Sequence, residues 1–346
     1  MTRSARDFGL VCGTLPPGRL NAVTDVAGVK VGYVTIREGD VLTGVTAILP
    51  HDGNLFRQKI PAAVEVINGF GKSVGLMQVE ELGNIETPIL LTNTFGVSNC
   101  ATALIRKAIE SNPDIGRETG TVNPVVLECN DGWLSDIQAL AVTEAHAAMA
   151  LACAKDGPVK QGAHGAGTGM SCFGFKGGIG SASRRMMLDG LEYHLGTLVL
   201  ANFGKSGDLV LPDGRRPSPE NEQVPERGSV IIVLATDIPL EHRQLKRVTR
   251  RCGAGLARLG SFWGNGSGDI ALAFSTAGRI NHDESKDILP LSALNEKRID
   301  ILFQAAAEAT QEAVLNALCA SSATSGRAGH RRPSLADWLA THGQAS

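Results

Sequence analysis

Ser229 is the residue of this sequence whose position could give it unusual chemistry. It follows Gly228 and opens the apolar run GSVIIVLAT (228–236), directly after a proline-rich, charged loop over 205–228. If the Gly228–Ser229 bond were cut, the serine would gain a free α-amine with a pKa of roughly 7.7–8.0, a usable base for its own hydroxyl. Glycine suits such a cut, because a residue without Cβ tolerates a strained backbone. On local sequence alone, a plain boundary between loop and strand is the commoner explanation.

Ser73 is a second candidate nucleophile. Gly71, Ser73 and Gly75 match the G-x-S-x-G turn of other serine hydrolases and follow a strand-like segment. Three fixed residues arise easily, however, in a chain with 41 glycines.

The glycine run 165–169 follows a polar segment rather than a strand and lacks dinucleotide-binding spacing. The eight histidines form no H-E-x-x-H pattern or close pair, so we predict neither a metal site nor a cofactor.

Composition narrows the classes of partner. The chain has 33 Lys and Arg against 35 Asp and Glu, without the one-sided charge of a nucleic-acid binder. No segment approaches the ~20 apolar residues of a membrane span, and the N-terminus lacks the apolar core of a secretory signal. Seven scattered cysteines without a C-x-x-C pair indicate reduced thiols. We therefore expect a cytoplasmic protein that acts on small molecules or peptides.

The elements that must position these residues are short strands and longer helices. Runs of β-branched residues bounded by Gly, Pro or Asn predict strands, and the run from Gly228 is apolar enough for a central strand covered on both faces. The predicted strands are 29–36, 43–49, 62–67, 87–92, 124–128, 196–201, 228–236 and 269–276. Helical spacing of apolar residues predicts helices over 98–111 and 136–155, one with Pro239 in its first turn, one from Asn295 to about Leu318, and a short one around Trp338.

The order of these elements indicates a layered α/β fold. Strands and helices mix without the strict alternation of a doubly wound nucleotide-binding fold, so sheets covered by helices are expected. The loop 205–228 should be exposed, because its prolines prevent a long strand or helix. The Gly-, Ser- and Arg-rich tail, 320–346, looks dispensable for chemistry.

Seven segments, in order over about residues 18–280, resemble the DmpA/BapA family. This family comprises the L-aminopeptidase D-amidase/esterases and the β-peptidyl aminopeptidases. The segments are GRLNAVTDVAGVKVGY (18–33), QVEELGNIETPILLTNT (78–94), ECNDGWLSD (128–136), GAGTGMSCFGFKGGIGSASR (165–184), ANFG (201–204), RGSVIIVLATDIPL (227–240) and GSGDIALAFST (266–276).

The resemblance implies a four-layer αββα sandwich. It also implies one catalytic domain, 1–346, that cuts itself in the loop 205–228 into two chains, 1–228 and 229–346, and forms a homo-oligomer. Ser229 would be the nucleophile. The chain would then be a self-processing serine aminopeptidase that hydrolyses short peptides or amino-acid amides and esters through an acyl-enzyme.

The resemblance further implies roles for individual residues. Ser267 and Asp269 match the serine and acid of the family's S-x-[ED] element, and in a strand they would share one face. Asn202 matches an oxyanion-hole asparagine, and Glu128 matches a carboxylate that receives the substrate's ammonium group.

Three positions depart from the family pattern. Asp269 is one methylene shorter than the familiar Glu, and Asn130, which we predict to be a substrate-binding residue, stands where some members carry a Tyr of the catalytic site. Lys72 occupies the last position of NGFGK, where NGxGE is common. Two alternatives stay open: an acyltransferase of the ornithine-acetyltransferase type, whose nucleophile is Thr, and a non-catalytic member of the family.

Overall fold

The computed structural model describes residues 3–219 and 228–343 of the chain. The strands in these ranges are β1 Lys30–Glu38, β2 Val41–Leu49, β3 Gln58–Gly69, β4 Asn84–Ile85, β5 Ile89–Asn93, β6 Val125–Cys129, β7 Ser171–Cys172, β8 Phe175–Lys176, β9 Gly178–Leu188, β10 Leu191–Asn202, β11 Ser229–Thr236, β12 Gly268–Ser275, β13 Ile280–Asn281, β14 Thr324–Ser325 and β15 Arg331–Arg332. The α-helices are α1 Leu76–Leu82, α2 Val97–Ser111, α3 Glu144–Ala152, α4 His242–Ala257, α5 Asp300–Cys319 and α6 Leu335–Thr341.

Two sheets form the centre of the molecule. The larger has the order β13-β3-β12-β11-β10-β9, with β4 also paired to β3, and the smaller has the order β1-β2-β5-β6. In the larger sheet β11 and β12 run parallel, while the other pairings are antiparallel. In the smaller sheet β5 and β6 run parallel.

Three apolar clusters define four layers. Leu91 and Leu127 of the smaller sheet pack against Leu198, Ile231 and Leu272 of the larger one, which joins the two sheets face to face. The outer face of the larger sheet packs on α4 and α5, and that of the smaller sheet on α2 and α3. This order of helix, sheet, sheet and helix confirms the predicted αββα sandwich.

β11 lies in the middle of the larger sheet, between β10 and β12, and all eight of its residues are buried. Ile231 and Val233 face the smaller sheet, whereas Val230 and Ile232 face the helices. Because side chains alternate along a strand, Ser229 belongs to the row that faces the smaller sheet. The prediction of a central strand with both faces covered is confirmed.

Two helix predictions were wrong at their N-terminal ends. The predicted helix 136–155 is shortened to α3, because Leu140 takes a left-handed backbone (φ 47°) and Thr143 caps the helix through its side chain. Pro239 precedes α4 instead of occupying its first turn, since Glu241 is the N-cap. In residues 3–219 and 228–343, no helix has the length and apolarity to cross a lipid bilayer.

β9 and the buried part of the loop 205–228 were not predicted. The sequence of β9, GIGSASRRMML, is rich in Gly, Ser and Arg, which hides a strand with nine buried residues. In the loop, Leu209 and Leu211 are buried in the core beside α4 and α5, so this segment is not simply exposed. Residues 220–227 of the predicted processing loop lie outside the described residues.

Candidate active site

Ser229 is the first residue of β11 and is almost fully buried. Its register partners are Asn202 at the end of the antiparallel β10 and Gly268 at the start of the parallel β12. The backbone N–H of Gly268 donates a hydrogen bond of 3.2 Å to Ser229 Oγ. The serine hydroxyl therefore meets a backbone donor at the point where three strands come together.

The backbone of Gly228 is held by the same donor. Gly268 N also lies 3.3 Å from the carbonyl oxygen of Gly228. A Cβ placed on Gly228 would lie 2.0 Å from the carbonyl oxygen of Asn202, so no other residue fits there without displacing the backbone of β10. Steric exclusion by Asn202 thus explains the glycine, in addition to the conformational freedom invoked from sequence.

The side chain of Asn202 is fixed at both ends of its amide. Oδ1 accepts a hydrogen bond of 2.8 Å from the backbone N–H of Ser171, and Nδ2 donates one of 2.9 Å to the carbonyl oxygen of Asn130. Since an amide nitrogen carries two hydrogens, the second N–H of Nδ2 is left for another acceptor. The residue is buried opposite Ser229 across the β10–β11 pair.

Ser267 and Asp269 flank Gly268 and are both fully buried. Ser267 Oγ donates a hydrogen bond of 2.7 Å to Asp269 Oδ1, so the shorter acid does reach the hydroxyl. Asn68 of β3 donates to the carbonyl oxygen of Ser267 and, at 3.0 Å, to that of Gly264. The hydrogen-bonded pair and this support fix the turn that presents Gly268 N–H to Ser229.

Glu128 lies near the end of β6 and is buried. Its Oε1 accepts a hydrogen bond of 2.8 Å from the backbone N–H of Lys72, and its Oε2 accepts one from the hydroxyl of Thr94. No Lys or Arg among residues 3–219 and 228–343 forms an ion pair with it. The carboxylate is therefore oriented by neutral donors. Its charge is not neutralised by a described cation.

Glu128 and Ser229 are linked through one short segment. A Cβ on Gly71 would lie 3.6 Å from Glu128 Oε1 and 3.9 Å from the Cα of Gly268. A Cβ on Gly268 would lie 3.1 Å from Ser229 Oγ. Gly71 thus stands between the carboxylate and the turn that contacts the nucleophile, which places both groups around one site.

Thr94 and the carbonyl of Asn130 are contributors that the sequence analysis missed. Thr94 follows β5, which runs parallel to β6, so the carboxyl ends of the two strands bring it beside Glu128. The side chain of Asn130 is exposed and accepts a hydrogen bond from Gly132 N, while its backbone carbonyl anchors Asn202. The available sequence signal was the polar TNT (92–94) at the end of a predicted strand.

Two buried charged groups lie behind the site. Burial raises the pKa of Asp131 to about 7, although a hydrogen bond from Asn93 acts in the opposite direction. Burial likewise lowers the pKa of Lys176 to about 7, and its Nζ donates to the carbonyl oxygens of Gly167, Met170 and Gly177. Both groups therefore change charge near neutral pH.

Ser73 and the glycine run 165–169, the alternative sites considered from the sequence, lie in structural rather than catalytic surroundings. Ser73 Oγ is buried and makes no hydrogen bond with the described residues, and Val74 forms a β-bridge to Val126. The run Gly165–Gly169 is a buried 3-10 turn between β1, β2 and the larger sheet. Within 3–219 and 228–343, no group of three His, Cys, Asp or Glu side chains is placed to hold a metal ion.

Comparison with known proteins gives matches over nearly the whole chain. Peptidase family S58 matches residues 21–332. Beta-peptidyl aminopeptidase BapA of Sphingosinicella microcystinivorans is 38% identical over 354 residues, which cover 94% of this chain and 88% of that protein. The crystal structure of the PH0078 protein from Pyrococcus horikoshii OT3 is 47% identical, with a TM-score of 0.92 and 98% of each chain covered. The L-aminopeptidase D-Ala-esterase/amidase of Ochrobactrum anthropi, described as a new variant of the Ntn-hydrolase fold, is 36% identical, with a TM-score of 0.89 and coverage of 98% and 97%.

Proposed function

This chain belongs to peptidase family S58, and we propose that it acts through Ser229 after cutting its own Gly228–Ser229 bond. It is a hydrolase, a serine aminopeptidase of the N-terminal-nucleophile type. The matched family is a peptidase family and two of the relatives reported above are named as aminopeptidases, which favours hydrolysis over the acyltransferase alternative. The observation that carries the proposal is that Gly268 N–H contacts both the carbonyl oxygen of Gly228 and the hydroxyl of Ser229.

Self-cleavage begins with attack of Ser229 Oγ on the carbonyl carbon of Gly228. The new C–O bond replaces the C–N bond of the peptide, the serine proton passes to the departing nitrogen, and an ester joins the two segments. Water then hydrolyses the ester, which leaves a carboxylate on Gly228 and a free α-amine on Ser229. Gly268 N–H, 3.3 Å from the carbonyl oxygen, is within reach of the negative charge that develops there.

Substrate hydrolysis uses the same hydroxyl with its new base. The α-amine of Ser229 takes the hydroxyl proton as Oγ attacks the substrate carbonyl, and returns it to the leaving amine. The acyl group remains on Oγ until water releases it as a carboxylic acid. The Ser267–Asp269 hydrogen bond supports a positioning role for this pair, since it fixes the backbone on both sides of Gly268.

Asn202 and Gly268 are the donors we assign to the oxyanion. The free N–H of Asn202 Nδ2 and the backbone N–H of Gly268 belong to the two strands on either side of Ser229. Donors fixed in this way stabilise a tetrahedral intermediate without having to reorganise during the reaction.

Glu128 is the group we assign to the substrate's ammonium. Glu128 is a buried carboxylate that accepts two hydrogen bonds from neutral donors, and the described residues provide no cation to pair with it. An ammonium bound there through a charge-assisted hydrogen bond would set the first amide bond over Ser229 and exclude a longer N-terminal extension. The β-peptidyl aminopeptidase name of the relative at 38% identity supports an N-terminal residue that can be a β-amino acid.

Intact mass tests the self-cleavage. The wild type should give two associated fragments of about 24 and 12 kDa, in proportion to 228 and 118 of the 346 residues of a 36.3 kDa chain. Ser229→Ala should stay one inactive chain. An uncut wild type with full peptidase activity would contradict the proposal, and loss of activity in Ser73→Ala but not in Ser229→Ala would move the nucleophile to Ser73.

Blocked substrates test the role of Glu128. The processed wild type should cleave alanine p-nitroanilide and reject its N-acetylated form, and Glu128→Gln should lose most of this preference. Fragment pattern and Tm serve as controls for processing and folding. Efficient wild-type cleavage of the acetylated substrate would contradict an aminopeptidase, and an unchanged preference in Glu128→Gln would remove Glu128 from the ammonium site.

We also propose that the processed protein is a homo-oligomer. The family resemblance supports it, and so do large apolar side chains that stand exposed on the described chain, such as Met77 and Ile288. Sedimentation velocity on the processed protein should give a mass that is a multiple of 36.3 kDa.

A further inference from the structure

Lys72 is a positively charged residue whose backbone contacts Glu128. Its side chain is exposed, and its Nζ lies 4.2 Å from the centroid of the Phe70 ring. Lys30, Lys59 and Lys246 each form an ion pair with a carboxylate, whereas Lys72 forms none with the residues of 3–219 and 228–343. A cation–π contact restricts the Nζ without neutralising its charge.

The backbone around Lys72 ties this charge to the substrate's N-terminal end. Lys72 N–H donates to Glu128 Oε1 at 2.8 Å, and Gly71 lies between Glu128 and Gly268. The carbonyl oxygen of Phe70 lies 2.7 Å from the position of a Cβ on Gly268. Segment 70–72 therefore borders the site from the nucleophile to the ammonium-binding carboxylate, and Lys72 stands at the carboxylate end.

Glu128 thus supplies a negative group and Lys72 a positive group, and the backbone N–H of Lys72 is hydrogen-bonded to the Glu128 carboxylate. Their complement is a substrate residue that carries an ammonium and a carboxylate close together. An apolar N-terminal residue satisfies only Glu128, and a carboxylate in the leaving group would lie on the other side of the scissile bond.

We propose that Lys72 binds a carboxylate on the N-terminal residue of the substrate, and that the substrate class is peptides or amides with a β-linked aspartyl N-terminus. In such a residue the ammonium and the carboxylate sit on one carbon, and a single methylene separates that carbon from the scissile carbonyl. This inference rests on the proposed function, because it requires the ammonium on Glu128.

The test compares two substrates that differ in one group. L-β-aspartyl p-nitroanilide carries the carboxylate, and 3-aminobutyryl p-nitroanilide of the matching configuration carries a methyl in its place. The processed wild type should favour the aspartyl substrate in kcat/KM. In Lys72→Met the aspartyl value should fall by about 10- to 100-fold, as expected for loss of one charged hydrogen bond, while the aminobutyryl value stays within about twofold.

Two further variants sharpen the comparison. Lys72→Glu should reverse the preference, because a like charge then faces the substrate carboxylate. Lys107→Met is the matched control, since Lys107 is an exposed lysine on α2 that also has no ion pair in the described ranges, and it should leave both kcat/KM values unchanged.

Three outcomes would overturn the inference. Equal wild-type kcat/KM for the two substrates would remove the carboxylate subsite, and an equal loss on both substrates in Lys72→Met would make Lys72 a structural residue that covers Phe70. In both cases cleavage of the aminobutyryl substrate leaves the proposed function intact. A processed wild type that cleaves neither substrate would contradict the proposed function and this inference together.

Discussion

At the scale of the residue, Asn202 shows how an asparagine at the end of a strand becomes a fixed hydrogen-bond donor. The backbone N–H of Ser171 donates a hydrogen bond to the side-chain oxygen of Asn202, and one of the two amide N–H groups of Asn202 donates to the carbonyl of Asn130. The amide cannot rotate without breaking both hydrogen bonds. Its remaining N–H is therefore preorganised, which is the property that an oxyanion donor needs.

We predict that Asn202→Ala lowers kcat by about 10²–10³-fold and changes KM far less, because an oxyanion donor acts mainly in the transition state. The measurement is steady-state kinetics on alanine p-nitroanilide, with the fragment pattern checked first. Asn130→Ala is the control. Since Asn130 contributes its backbone carbonyl, this variant should keep nearly the wild-type kcat, and a near-normal kcat in processed Asn202→Ala would reduce Asn202 to a structural role.

Asp131 introduces a pH dependence of stability. Its folded pKa of about 7 lies above its ordinary value of 3.8, so the folded state holds the proton more tightly than the unfolded state. The free energy of unfolding therefore falls as the pH rises from about 4 to about 7.

Lys176 changes the free energy of unfolding over a different pH range. Its lowered pKa of about 7 weakens the fold below pH 7, and this effect is relieved as the pH rises towards 10.5.

We predict that Asp131→Asn gains Tm relative to the wild type as the pH rises from about 4 to about 7.5, because the amide does not ionise. Thermal melts at several pH values measure the difference between the two proteins. Asp136→Asn, which changes an exposed acid in the same loop, should show no such trend. If the Tm difference between Asp131→Asn and the wild type stays constant with pH, folding does not raise the pKa of Asp131, and the prediction is wrong.

At the scale of the element, α5 joins the two sides of the proposed cut. Arg184 on β9 donates at 3.0 Å to Glu308 and at 2.8 Å to Glu312, and all three side chains are almost completely buried. Arg6 also binds Glu312 from the N-terminal segment. Both arginines belong to 1–228 and both glutamates to 229–346, so these ion pairs would continue to hold the fragments after cleavage.

We predict that Arg184→Met lowers the free energy of unfolding by about 3–5 kcal/mol, because it leaves buried carboxylates with less compensation. Arg185→Met is a control one residue away, since the ion pair of Arg185 with Glu192 is half-exposed and should contribute at most about 1 kcal/mol. Urea unfolding of the processed proteins gives both values. Similar losses in the two variants would remove the special role of the buried network.

The elements that could be predicted from sequence are those whose own side chains are apolar or β-branched, because such side chains indicate a buried strand. The apolar run of β11 and the β-branched residues of β1 and β6 indicate strands, because these side chains pack well on a pleated surface. β9 gives no such signal. Its Ser181 is buried with the carbonyl of Thr197 on the neighbouring β10 as a partner, and its Arg184 is buried because α5, which is distant in sequence, supplies carboxylates.

The candidate site was predictable in part for the same reason. Ser229 stands out at a junction, and Ser267 and Asp269 are two residues apart at the start of β12, a spacing that a sequence reveals directly. The contacts of Ser229 with Gly268 and Asn202 depend on the register between strands far apart in the chain. A single sequence contains no local signal for that register, nor for the hydroxyl of Thr94 on Glu128.

At the scale of the whole molecule, the C-terminal tail supports the site from outside. The ring of His330 stacks on Trp133 at 4.0 Å, Arg327 Nε donates to the carbonyl of Gly132, and Arg327 N–H donates to that of Leu134. These contacts hold residues 132–134, which begin two residues after Asn130, and the carbonyl of Asn130 anchors Asn202. The tail therefore contacts the loop that leads to the site, while the expectation that it is dispensable for chemistry stays a prediction.

We predict that His330→Ala lowers kcat/KM and also stability, the latter by about 1 kcal/mol, as for loss of one aromatic contact. His342→Ala is the matched control, because His342 stacks in the same way on Trp338 within α6 and its hydrogen bonds go to Trp338 and Thr341. It should lose a similar amount of stability and keep its activity. Equal kinetics in the two variants would show that the tail does not support Asn202.

The position of Gly228 in the uncut chain has a consequence for when activity appears. Its carbonyl oxygen accepts a hydrogen bond from Gly268 N–H, where a substrate carbonyl would bind in the proposed mechanism, and the intact peptide bond would withhold the amine that Ser229 is proposed to use as its base. If the chain cuts itself as proposed, each newly made molecule would be a latent zymogen whose inhibitor is its own chain. Activation would then require no second protein molecule, so its rate should be first-order and should not change on dilution. The delay between synthesis and activity would be set by a single intramolecular step at one glycine.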